Sequence, residues 1–126
     1  MTSFLAIGAG GAIGAVGRFW LSLYVSQVLG TQFPWGILVV NILGGFFMGL
    51  LAELGVHSIP IAHELKLFLL TGVLGGFTTF SAFSLDTVLL IERGELLAAA
   101  SYVIASVIGS IATLCTGLLI VRMVTQ

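Results

Sequence analysis

Four runs of predominantly apolar residues, at 4–29, 35–54, 65–91 and 96–124, account for almost all of this 126-residue chain. Each is long enough to cross a hydrocarbon core, which takes about 20 apolar residues per helix. Four basic and five acidic residues accompany them, 7% of the sequence. A soluble domain carries charge on roughly a quarter of its positions. The pattern therefore implies an all-α membrane protein, a single transmembrane domain over 1–126 with four spans. The first run lacks a basic leader and continues past signal length, so it reads as a retained span. A net charge of −1 leaves no basic footprint for nucleic acid.

The third run is interrupted. Residues 72–86, GVLGGFTTFSAFSLD, set paired glycines, four hydroxyls (Thr78, Thr79, Ser81, Ser84) and, three residues apart, Phe80 and Phe83 inside a span. Backbone at membrane depth must have its hydrogen bonds satisfied, so irregular polar stretches survive only buried in protein or along a watery path. Discontinuous helices commonly carry ion or substrate sites. The spacing predicts a third helix broken near 75–81.

Other polar groups in the spans need a reason as well. Asn41 lies mid-span in VVNILGG, and a mid-membrane amide is costly without a partner. Its two N–H donors suit an anion path or a structural interhelical bond. Tyr102, Ser106, Ser110 and Thr113 recur at four, four and three residues, on one helical face. They read as a polar track, against small residues that back-bond to their own helix. Arg18 either snorkels to the interface or stands in a vestibule that concentrates anions. Asp86 follows the interruption and is expected to face a vestibule or to cap the second half-helix. Glu53, Glu64, Glu92 and Glu95 read as interface residues near span ends. Cys115 reads as a small buried hydrophobe.

Basic residues barely bias the orientation: Lys66 and Arg122 on one side, Arg93 and the embedded Arg18 on the other. Such a near-tie permits insertion both ways, and hence an antiparallel homodimer. Glycines four apart (Gly10 and Gly14, Gly45 and Gly49, Gly72 and Gly76) permit close helix approach, within one chain or between chains. No catalytic triad, CxxC or phosphate-binding loop appears, which argues against an enzyme. A small proton-coupled multidrug exporter is the nearest rival class. It needs a carboxylate in its first span, where this chain has Arg18 and no acid.

The segments GGFTTFSAFS, VNILGG and GAIGAVGRF together resemble the Fluc (CrcB) fluoride channels in motif, order and span count. The resemblance implies a dual-topology antiparallel homodimer in the cell inner (plasma) membrane, passing fluoride passively and so lowering cytoplasmic fluoride. It implies a structural, untransported Na+ held by the backbone carbonyls of Gly75 and Thr78 from both subunits. It assigns the fluoride pathway to Asn41, Phe80, Phe83, Tyr102, Ser106 and Ser110, with Ser81 of the hydroxyl cluster beside them. Arg18 matches a vestibule basic residue. Asp86 stands where the family often has glutamate, a shorter carboxylate at the same vestibule position.

Overall fold

A computed structural model describes residues 1–57 and 60–126 of the chain. Its elements are α1 (Thr2–Leu29), α2 (Trp35–His57), α3 (His63–Lys66), a π-helical segment (Leu67–Leu74), α4 (Gly75–Phe77), α5 (Phe80–Glu92) and α6 (Leu96–Thr125). The chain from His63 to Glu92 acts as one span, so among the described residues four helical stretches are long and apolar enough to cross a membrane. The second stretch runs three residues beyond the expected end at 54. The expected connection at 55–60 includes Ser58 and Ile59, which lie outside the described residues.

Local chemistry explains the turns. The Pro34 carbonyl accepts the Leu38 N–H at 3.2 Å, so the proline stands at the mouth of α2, where its missing N–H costs nothing. Gly94 has φ 77°, and the N–H groups of Gly94 and Glu95 return to Ile91 and Leu90. That is the Schellman ending, which needs glycine at the left-handed position.

The glycine rows are used inside the chain. A Cβ at Gly14 would run into the Val73 carbonyl, and one at Gly76 into the backbone of Gly11. Gly49 and Gly117 likewise meet the backbones of α6 and α2. Backbone contact of this closeness is how helices associate where lipid removes the hydrophobic drive. These pairs seat the π segment on α1 and α6 on α2.

Burial adds to one expectation and corrects another. Glu53 stands near a span end as expected, yet it is packed inside the chain: it is 4% exposed, and Arg122 of α6 grips it with Nε to Oε1 at 2.7 Å and Nη2 to Oε2 at 3.2 Å. A carboxylate held in that fork tolerates burial near a helix end. Cys115 is exposed, because it falls on the outward face of α6. Phe4, Phe19, Trp20, Ile104 and Ile108 also point outward, on the helices that bury least of themselves inside the chain.

Candidate functional site

Between α4 and α5, two residues leave helical geometry. Thr78 (φ −79°, ψ 157°) and Thr79 (φ −154°, ψ 125°) are both extended. Extended residues in an apolar setting strand backbone groups, and those groups must be satisfied somewhere. The Thr78 N–H and Oγ1 both donate to the Leu74 carbonyl, at 3.0 and 2.9 Å. Thr79 is served from another helix. Asn41 Oδ1 accepts the Thr79 N–H at 2.8 Å, while Asn41 Nδ2 donates to the Thr79 carbonyl at 2.9 Å. The side-chain amide thus stands in for a peptide group of a neighbouring strand. Thr79 Oγ1 then accepts the Ala82 N–H at 3.1 Å and caps α5.

Around this junction lies a groove of about 440 Å³, lined by Asn41, Gly44, Gly45, Met48, Thr78, Thr79, Phe80, Phe83, Ser106, Ser110 and neighbouring aliphatic residues of α6. Its polar groups are amide, hydroxyl and backbone, and among the described residues no charged side chain lines it. Ser106 is 6% exposed, and its Oγ is buried without a hydrogen-bond partner among the described residues. A buried hydroxyl in that state costs about 1–3 kcal/mol unless something fills the position. Phe83 is buried while Phe80 is 77% exposed, and their ring centroids stand 5.4 Å apart.

The CrcB family model, described as CrcB-like protein, Camphor Resistance (CrcB), matches residues 5–118. The chain belongs to the CrcB family. It is 51% identical to a fluoride-specific ion channel FluC of Rhodospirillum centenum over 122 residues, 97% of each chain. FluC proteins of Rhizobium meliloti and Agrobacterium fabrum are 46% and 48% identical over 122 residues, 97% of this chain and 98% of theirs.

In this CrcB chain, five of the seven residues expected from sequence along the anion path meet at the groove, Asn41, Phe80, Phe83, Ser106 and Ser110, and Thr78, expected at the cation site, lines it too. Tyr102 stands deeper. It has no exposure, packs its ring 5.2 Å from Phe83, and donates its hydroxyl to Asp86 Oδ2 at 3.1 Å. Thr113, the last hydroxyl of the stripe, donates to the Ile42 and Ser110 carbonyls and serves helix packing. Ser81 is exposed, with its Oγ 3.2 Å from Thr79 Oγ1. Asp86 does not cap α5; it lies mid-helix, and Thr79 takes the cap. Arg18 Nη1 reaches the Thr78 carbonyl at 3.5 Å, a long contact from α1 to the junction.

Thr79 is the residue that sequence reasoning undervalued. It was visible only as one hydroxyl among four, although a threonine just ahead of an apolar run is a helix-start signal. Its pairing with Asn41, 38 positions away, had no sequence signature.

Proposed function

We propose that this CrcB chain is a fluoride channel, passing the anion down its gradient across the cell inner membrane as a pair of copies inserted in opposite orientations. The third span then breaks at membrane depth, at Thr78 and Thr79. Only 11% of the apolar window in each of α1 and α6 is buried within a single chain, which leaves wide apolar surface for lipid and a second copy. The relatives named FluC support the choice of anion.

The observation that carries the reading is the Ser106 hydroxyl, buried and unpartnered in the wall of a groove of neutral donors. Fluoride is small and strongly hydrated, so a path must replace its water with N–H and O–H groups. Ser106 and Ser110 offer hydroxyls. The edges of Phe80 and Phe83 carry the positive part of the ring quadrupole. Asn41 has one amide hydrogen beyond the one given to Thr79. Tyr102, bonded to Asp86, steadies Phe83 from behind. Without a fixed charge in the groove, release stays fast, because conduction requires binding weak enough to leave. Arg18 and Asp86 act at the vestibules.

The donor set at the junction fits a resident Na+. In an unbroken helix the Gly75 carbonyl would accept the Thr79 N–H and the Thr78 carbonyl the Ala82 N–H. Both donors are engaged elsewhere, by Asn41 and by Thr79 Oγ1. Unwound backbone carbonyls are suitable sodium ligands. Gly75 and Thr78, with the same pair from a second copy, are the residues that would hold it. Bound there, sodium supplies a fixed positive charge that offsets the cost of nearby anions.

The test is anion efflux from proteoliposomes followed with a fluoride electrode. Passive loss of a fluoride gradient, with a parallel chloride gradient retained, is expected. An intact fluoride gradient, or equal loss of both anions, overturns the reading. Proton antiport driven by an organic cation would instead restore the exporter.

A further inference from the structure

We propose that Asn41 and Thr79 are positioning residues for the cation site, whose side-chain oxygens divert the two N–H groups that would otherwise close the Gly75 and Thr78 carbonyls. The inference rests on the sodium reading above and concerns only how this chain keeps these carbonyls clear of the helix's own N–H groups; the long contact from Arg18 to the Thr78 carbonyl is separate.

The geometry is reciprocal. A helix continued through 75–82 would send the Thr79 N–H to Gly75 and the Ala82 N–H to Thr78. Instead, Asn41 Oδ1 takes the first at 2.8 Å, and Thr79 Oγ1 takes the second at 3.1 Å. Neither acceptor is itself a candidate cation ligand. Each satisfies a donor that would be expensive to leave bare in an apolar setting. The extended dihedrals of Thr78 and Thr79 are therefore held by side chains as well as by backbone preference. Asn41 also belongs to the groove wall, so one amide touches the anion path with one face and the junction with the other. Disturbing it alters both.

Oxygen position is the operative property, and that makes the inference separable from a general packing role. Asn41→Asp, as the neutral acid, keeps both an acceptor opposite the Thr79 N–H and a donor to the Thr79 carbonyl, whereas Asn41→Ala removes both. Thr79→Ser keeps the Oγ acceptor, whereas Thr79→Val preserves shape and extended preference without it.

The experiment follows the thermal midpoint of the purified full chain in detergent while NaCl replaces choline chloride at constant ionic strength. The wild type is expected to gain stability with sodium, since a ligand of the native state raises the midpoint by mass action. Asn41→Ala and Thr79→Val are expected to raise the half-saturating sodium concentration at least fivefold. Asn41→Asp and Thr79→Ser should stay within about twofold of wild type or below it. Unchanged sodium response in Asn41→Ala and Thr79→Val overturns the inference, as does equal loss in the conservative pair. If Asn41→Ala fails to fold, the Thr79→Val and Thr79→Ser pair decides alone. A wild type indifferent to sodium removes the sodium reading, and the inference falls with it. A responsive wild type with unmoved variants removes the inference only.

Discussion

Tyr102 gives its hydroxyl hydrogen to Asp86 across the α5–α6 contact, with a donor–acceptor distance of 3.1 Å. The tyrosine has no exposure, and its ring lies between Phe33 (5.6 Å, edge-on) and Phe83 (5.2 Å). Removing the hydroxyl by Tyr102→Phe keeps the ring packing and strands a part-buried carboxylate. Interhelical hydrogen bonds in membranes are worth up to roughly 1.7 kcal/mol. Tyr102→Phe should therefore lower unfolding stability by about 1 kcal/mol. Asp86→Asn in the same background should add little, because the two side chains share one bond. Thermal unfolding of the four members of the double-mutant cycle checks this. Strict additivity would mean that the pair is uncoupled.

Ser106 makes the opposite kind of prediction. Its Oγ is buried with no partner among the described residues, so Ser106→Ala removes an unsatisfied group. Stability without fluoride should hold or rise by up to about 1 kcal/mol. Fluoride efflux should nevertheless fall, by about tenfold for one lost donor of roughly 1.4 kcal/mol. Opposed signs in the two measurements are diagnostic. A variant both less stable and fully conducting would return Ser106 to helix packing.

Phe80 and Phe83 are distinguishable by burial. Phe80 is 77% exposed in a single chain and Phe83 only 8%. Phe80→Ile removes little packing within the chain, so it should lower the thermal midpoint less than Phe83→Ile does while cutting fluoride flux more than tenfold. Phe83→Ile should cut flux as deeply and also lower the midpoint, since it removes the ring packed on Tyr102 and Phe80. Proteoliposome efflux at matched protein density checks both. Wild-type flux in the two variants would take the rings out of the mechanism.

The four spans were legible because apolar runs of that length have few alternatives in a chain with so little charge. The groove residues were legible for a related reason: an amide or a hydroxyl stripe inside a span must answer for its polarity. What escaped was pairing between distant residues. Asn41 with Thr79, Arg122 with Glu53 and Tyr102 with Asp86 each join positions whose proximity depends on helix rotation and crossing, which hydropathy does not encode. Glu53 illustrates the gap. Its place near a span end was legible, but the rotation of α2 that turns it onto α6 was not. The glycine rows failed differently. Their four-residue spacing marked close approach correctly, yet spacing is silent on whether the partner backbone is in the same chain.

Arg18 gives the last prediction. Its Nη1 lies 3.5 Å from the Thr78 carbonyl, one of the two oxygens assigned above to sodium. A guanidinium and a sodium ion near one carbonyl repel. Unit charges about 6 Å apart at an effective dielectric near 20 oppose each other by roughly 3 kcal/mol, and mobile ions reduce that further. Sodium binding should therefore push Arg18 away from the junction toward the vestibule, where it attracts anions. Arg18→Gln removes the competitor and the attractor together. The half-saturating sodium concentration in thermal unfolding should fall several-fold. Fluoride flux should fall as well, most at low ionic strength, where steering by one charge reaches furthest. Measuring both across a salt series separates the roles. Tighter sodium with salt-independent flux would leave Arg18 only as the competitor at Thr78, and unchanged sodium response would show that the contact yields at no cost.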